Sequence, residues 1–244
     1  MDQAAIWIPY CGAAPAPDEL AARWNLDPML LAAFVLAAAG WWRFARTGGE
    51  RRWFLAAIAL LVFLFVSPFC ALTAALFSAR VVHHLALTAV VAPLLAAAFS
   101  VSRIPGGLVL WTGIHAATFW LWHAPAAYEA ALSDDTIYWL MQISLLLSAL
   151  ALWRGVRNAA LPAGIAALLA TMVQMGLLGA LLTFSGTPLY APHFIGPLAW
   201  GLAPLEDQQL AGLIMWVPGA GIYLAAAVAL AARWFVHERS MVTT

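Results

Sequence analysis

Residues 159–184 read AALPAGIAALLATMVQMGLLGALLTF, an unbroken run without a charged side chain. Crossing the hydrocarbon core of a bilayer takes about 20 apolar residues of helix. A helix that is apolar on every face is stable only inside a large protein or in lipid. With 65% of the chain hydrophobic and 9% charged, there is too little polar surface to cover a soluble fold, so lipid is the expected solvent.

Similar runs recur on both sides of this one, separated by short charged punctuation. They predict an all-α, polytopic membrane protein with seven transmembrane helices, at about 28–45, 53–75, 81–101, 107–125, 136–153, 159–184 and 208–234. Asp27 and Pro28 suit the N-cap and first position of the first span, and Asp134 and Asp135 suit the cap of the fifth. Pro68, Pro93 and Pro218-Gly219 predict kinks or breaks. Residues 1–27 then form an extracytoplasmic segment, 28–235 the membrane domain and 236–244 a cytoplasmic tail. The N-terminal segment has neither the basic region nor the continuous apolar stretch of a cleavable signal, so the first span is expected to direct insertion itself.

Orientation follows from arginine. All eleven basic residues are Arg, and nine of them (43, 46, 51, 52, 103, 154, 157, 233 and 239) fall on one side of the proposed spans against Arg23 and Arg80 on the other. Basic residues near span ends stay in the cytoplasm, which predicts N-out and C-in. The acids mirror this, leaving an acidic outer face, and nothing resembles the basic footprint of a nucleic-acid binder. Trp41, Trp42, Trp53, Trp153 and Trp234 near inner ends, and Trp120, Trp122 and Trp139 near outer ends, read as aromatic belts. The connection from Ser185 to Leu205 carries four prolines and is apolar and uncharged until its end, so it is expected to be an ordered cap between the sixth and seventh spans.

Five of the six histidines fall in the outer half. His83 and His84 open the third span, His123 closes the fourth, His193 lies in the cap, and His115 lies about 12 Å deeper than His123 at ~1.5 Å per helical residue. Asp207-Gln208-Gln209 opens the seventh span, with Met215 two turns below Gln208. Imidazole with thioether suits Cu(I), and imidazole with carboxylate is tolerated by Cu(II) and Zn(II). The candidate metal residues are therefore His84, His123, Met215, Asp207, His83, His193 and His115, and copper, as Cu(I), is the expected metal. Met141, Met172 and Met175 read first as packing. His115 reads equally as an interhelical hydrogen-bonding group, and Asp207 as a cap for its own helix. Cys11 and Cys70 both fall on the oxidising side, which permits a disulfide without requiring one.

At these residues the sequence resembles the CtaG-type cytochrome c oxidase assembly factors. The resemblance is carried by Ser78-Ala79-Arg80-Val81-Val82-His83-His84-Leu85 with Ala92-Pro93-Leu94-Leu95, by Trp122-His123-Ala124-Pro125 with Tyr128, and by Leu205 to Gly219, LEDQQLAGLIMWVPG. It implies a non-catalytic, multi-pass protein of the bacterial cytoplasmic membrane. Such a protein assists assembly of a heme-copper oxidase, with an oxidase subunit and the lipid bilayer as partners and copper as cargo. His84, His123, Asp207, Gln208 and Met215 match the family pattern. Arg80 stands where many members carry the first His of a His-x-x-x-His pair. Two other readings remain at this point. One is a membrane heme protein with His84, His115 or His123 as axial ligands; the other is a metal-independent scaffold using the small faces at Gly176 and Gly179. No H-E-x-x-H or comparable hydrolytic constellation is present, and no enzyme activity is expected.

Overall fold

The computed structural model describes residues 7–45, 47–99 and 105–242, apart from the side chains of 44 and 236–242. Asp2, Arg46 and Arg103, and the side chains of His237, Glu238 and Arg239, which enter the charge comparison, lie outside the described residues. Helices account for the architecture: α1 (Pro28–Phe44), α2 (Gly48–Val66), α3 (Pro68–Ala75), α4 (Phe77–Ala86), α5 (Ala92–Ala98), α6 (Gly107–His123), α7 (Pro125–Ser133), α8 (Asp135–Asn158), α9 (Leu161–Phe184), α10 (Pro204–Ile214) and α11 (Ala220–Val242).

By length and apolar composition, four of the described helices can cross a membrane: Phe77–Ala98, Asp135–Asn158, Leu161–Phe184 and Pro204–Phe235. A fifth candidate is the pair α2 and α3, bent by 53°. The sequence reading expects seven, and the two it adds are α1 and α6. Each has 17 residues, about 26 Å of helix at ~1.5 Å per residue, short of the roughly 30 Å core.

The prolines act in two ways. At Ser67-Pro68 the chain breaks as expected, because Ser67 leaves helical geometry and its hydroxyl accepts from Phe69 N–H to start α3. At Pro93 and Pro218 the helix continues through a π-bulge instead, over Leu87–Val91 and Met215–Gly219. A wider turn accommodates a ring that has no N–H and would otherwise meet the carbonyl four residues back. Ala92 N–H accordingly reaches Leu87 O, five residues earlier.

Several boundaries shift. The third apolar helix begins at Phe77 and the last at Pro204, each about a turn earlier than expected. Asp27 and Asp134 cap α1 and α8 as read from sequence. Glu206 accepts from Ala203 N–H at the start of α10, so Asp207 is released from capping its own helix. Trp122 and Trp153 do not face a membrane interface: both are buried, donating to Ser144 Oγ and Thr88 O.

α4 and α5 run through the middle, with α2, α8 and α10 packed around them, while α9 joins α10 and α11 to α6 and α8. At the crossing of α9 and α10, a Cβ on Gly212 would meet Thr183 Oγ1 at 2.4 Å and Gly179 O at 2.6 Å. The small face at Gly179 is therefore spent on a contact within the chain. The segment 185–203 is an ordered cap with two short 3-10 turns, Ala191–His193 and Gly196–Trp200. Tyr190 Oη donates to His123 O (2.7 Å), Leu189 N–H donates to Gln208 Oε1 (2.7 Å), and Trp200 Nε1 donates to Pro15 O (3.1 Å).

The N-terminal segment lies over the same end. Cys11 and Cys70 form a disulfide, Tyr10 stacks on Tyr138 with ring centroids 5.3 Å apart, and Tyr10 Oη donates to Asp27. Cys11 and Cys70 are 59 positions apart, so on chain entropy alone the bond contributes up to about 4 kcal/mol. The Cys11→Ser/Cys70→Ser variant is expected to melt at a lower temperature in detergent, and dithiothreitol should lower the wild type to match. Identical melting with and without reductant would show that the bond ties nothing down.

Candidate functional site

The first two turns of α4 carry most of the candidate residues. Leu76, its N-cap, offers no side-chain acceptor, so the first N–H groups need a partner from elsewhere. Asp207 of α10 supplies it: Oδ2 accepts from Phe77 N–H (2.6 Å), and Oδ1 accepts from Ser78 N–H (3.2 Å) and from Ser78 Oγ. A carboxylate at a helix N-terminus is also favoured by the dipole. Both oxygens of Asp207 are thus committed to positioning α4.

Below this anchor, α4 presents Arg80, His83 and His84, all buried. His83 turns toward α2, its ring 4.8 Å from Phe65 in an edge contact, and its centroid is 5.9 Å from that of His84. His84 faces His123 at the end of α6, again with centroids 5.9 Å apart. None of the four ring nitrogens of His83 and His84 has a hydrogen-bond partner. His123 Nδ1 lies 2.7 Å from Phe119 O, so it carries the proton and leaves the Nε2 lone pair for another partner. A histidine held by a carbonyl on one nitrogen is the arrangement metal-binding imidazoles commonly have.

The other sequence candidates sit differently. His193 Nε2 is 2.7 Å from the Tyr128 hydroxyl and Nδ1 is 3.5 Å from Ala75 O, so both nitrogens fasten the cap. Burial, reinforced by the charge of Arg80, pushes its pKa down to about 3, and it stays neutral at physiological pH. His115 is paired through Nδ1 with Ser148 Oγ (3.0 Å) and leaves Nε2 without a partner, two turns below His123. Met215 is fully buried at the start of the second π-bulge. α10 meets α4 at Asp207–Ser78, and a Cβ on Gly219 would lie 3.1 Å from Leu85. Met215, one turn before Gly219, therefore falls at the depth of the His83–Leu85 turn. The same Gly219 position lies 3.0 Å from Met175 Sδ, which brings a second thioether to this level.

Among the described residues, no group of three or more His, Cys, Asp or Glu side chains is arranged to hold a metal ion. The arrangement is a chain of imidazoles, His83 to His84 to His123, with Met215 and Met175 at a similar depth. Sequence reasoning gave no role to Tyr138, which receives the Arg80 guanidinium, or to Gln142. Gln142 lies one turn from Tyr138 on α8, buried, with both amide atoms unpartnered. Two polar groups four residues apart in an apolar helix were the signal that could have found them.

A family model described as cytochrome c oxidase caa3 assembly factor (Caa3_CtaG) matches residues 108–237, just over half of the chain. The matched part includes His115, His123, His193, Asp207 and Met215, whereas Arg80, His83 and His84 precede it. No curated protein and no solved structure matches the chain.

Proposed function

The chain belongs to the cytochrome c oxidase caa3 assembly factor family, and from that premise we propose that it binds Cu(I) at its outer end and passes it to a subunit of a heme-copper oxidase in the bacterial cytoplasmic membrane. The observation that carries this reading is the buried imidazole chain. Burying a polar group without a partner is costly, and a metal held between the rings would take one lone pair from each neutral imidazole, which accounts for one of the two unpartnered nitrogens of His83 and of His84. With metal–nitrogen bonds of about 2.0–2.1 Å, two imidazoles sharing one metal in line have centroids roughly 6 Å apart, close to the 5.9 Å spacings here. Neutral imidazole and thioether suit Cu(I), and the nearby guanidinium of Arg80 repels a monovalent ion less than a divalent one.

In this reading His84 is the central ligand, shared toward His83 on one side or His123 on the other, and Met215 is a soft donor at the same depth. Asp207 acts as a positioning residue that fixes the first turn of α4. Transfer is an exchange of ligands, needing no bond cleavage and no electron. The topology in which it operates is seven spans with N-out and C-in, α1 and α6 crossing as short helices. A disulfide between Cys11 and Cys70 and the arginine asymmetry both favour that orientation. A metal-independent scaffold is the second reading, favoured by the lack of a three-ligand group among the described residues.

The test is oxidase activity in membranes of a deletion strain, grown with and without added copper. Loss that copper restores supports delivery, and loss that copper leaves uncorrected favours the scaffold. Unchanged activity, or a Soret band in the purified protein, overturns the proposal.

A further inference from the structure

Arg80 lies in the first turn of α4 and has no exposed surface. Its Nη1 donates to the Tyr138 hydroxyl at 3.4 Å, and its guanidinium carbon lies 5.4 Å above the Tyr138 ring. Its Nε and Nη2 have no partner. No described acid lies within salt-bridge distance of it, and the nearest candidate on sequence grounds, Asp207, has both oxygens on Phe77 and Ser78. The side chains around it, Tyr128, Tyr138, His83 and His193, are all buried.

A buried cation without a counter-charge is among the least tolerable features of a protein interior, and more so in a membrane protein. The unpartnered Nε and Nη2 form one edge of the guanidinium, two parallel N–H groups aimed the same way. Gln142, whose amide is also unpartnered, lies one turn along α8 from Tyr138 and can supply a further N–H donor.

We propose that the free edge of Arg80 is a buried binding site for a small monoanion of the halide class. One guanidinium with no acid within salt-bridge distance among the described residues favours a monovalent anion. Burial of Arg80 and of Tyr128, Tyr138, His83 and His193 beside it favours an ion as small as chloride or bromide over a phosphate or a lipid headgroup. The site is tested without metal, so its failure and the failure of the copper reading are distinguishable.

The experiment is chloride-35 NMR line broadening on the purified, metal-free protein in detergent, titrated with bromide as competitor, alongside thermal melting in chloride and in an equal concentration of methanesulfonate. Saturable broadening that bromide displaces, with a higher melting temperature in chloride, is expected for the wild type, and Arg80→Gln should lose both. Absence of displaceable broadening in the wild type, or its persistence in Arg80→Gln, overturns the proposal. If Arg80→Gln does not fold, Arg80→Lys serves, because it keeps the charge and loses the fork. Several-fold weaker halide binding is then expected, and unaltered binding overturns the site.

Discussion

Replacing Asp207 by alanine is expected to destabilise the protein by about 3–5 kcal/mol, since it leaves buried donors of α4 without acceptors at roughly 1–3 kcal/mol each. The donors are Phe77 N–H, Ser78 N–H and Ser78 Oγ, and Leu76 has nothing to offer in place of the carboxylate. Asp207→Asn keeps one oxygen as acceptor but turns an N–H₂ toward another donor, so an intermediate loss is expected. The check is the thermal midpoint of detergent-solubilised protein for the two variants and wild type. If Asp207→Ala melts with the wild type, the carboxylate is not holding α4. Copper affinity should fall with stability in this series, because His83 and His84 sit on the first two turns that Asp207 anchors.

His84→Leu should separate function from stability in the opposite sense. Both nitrogens of His84 are buried without partners, so an apolar side chain of similar volume removes a desolvation penalty instead of an interaction. The variant is expected to melt at or above the wild-type temperature, with a gain of up to about 1–2 kcal/mol, yet to bind Cu(I) at least ~100-fold more weakly, since loss of a ligand should exceed the 10–100-fold cost of losing an outer-shell partner. Competition against a chromophoric Cu(I) chelator measures the second quantity. A residue kept at a cost in stability is the signature of a functional position. If instead His84→Leu melts lower and binds copper normally, the imidazole is a packing group and the metal proposal loses its central ligand.

How far the site could be read from sequence differs from residue to residue. His84 and His123 were legible because imidazoles in apolar helices at similar depth stand out, and the structure places their rings side by side. Asp207 stood out equally, but its task was not legible. An acidic residue near a helix start normally caps its own helix, and only the approach of α10 to α4 hands it to Phe77 and Ser78 instead. His193 looked like another ligand until the fold of the cap brought Tyr128 and Ala75 to its two nitrogens. Gly179 offered a small face to any helix, and the chain itself filled it with Gly212.

The amino-acid sequence by itself determined that this is an all-helical, strongly apolar chain, where most of its apolar helices start to within about a turn, and which prolines disturb them. Those properties follow from local composition and the hydrogen-bonding needs of the backbone, which act over a few residues. Tertiary structure decided the rest. It turned Pro93 and Pro218 into π-bulges within continuous helices, joined Cys11 to Cys70, took Trp122 and Trp153 inside, and buried His83, His84 and one edge of Arg80 without hydrogen-bond partners. Each of these depends on groups far apart in the chain meeting at van der Waals distance, and the order of residues along one helix carries no record of what will face it.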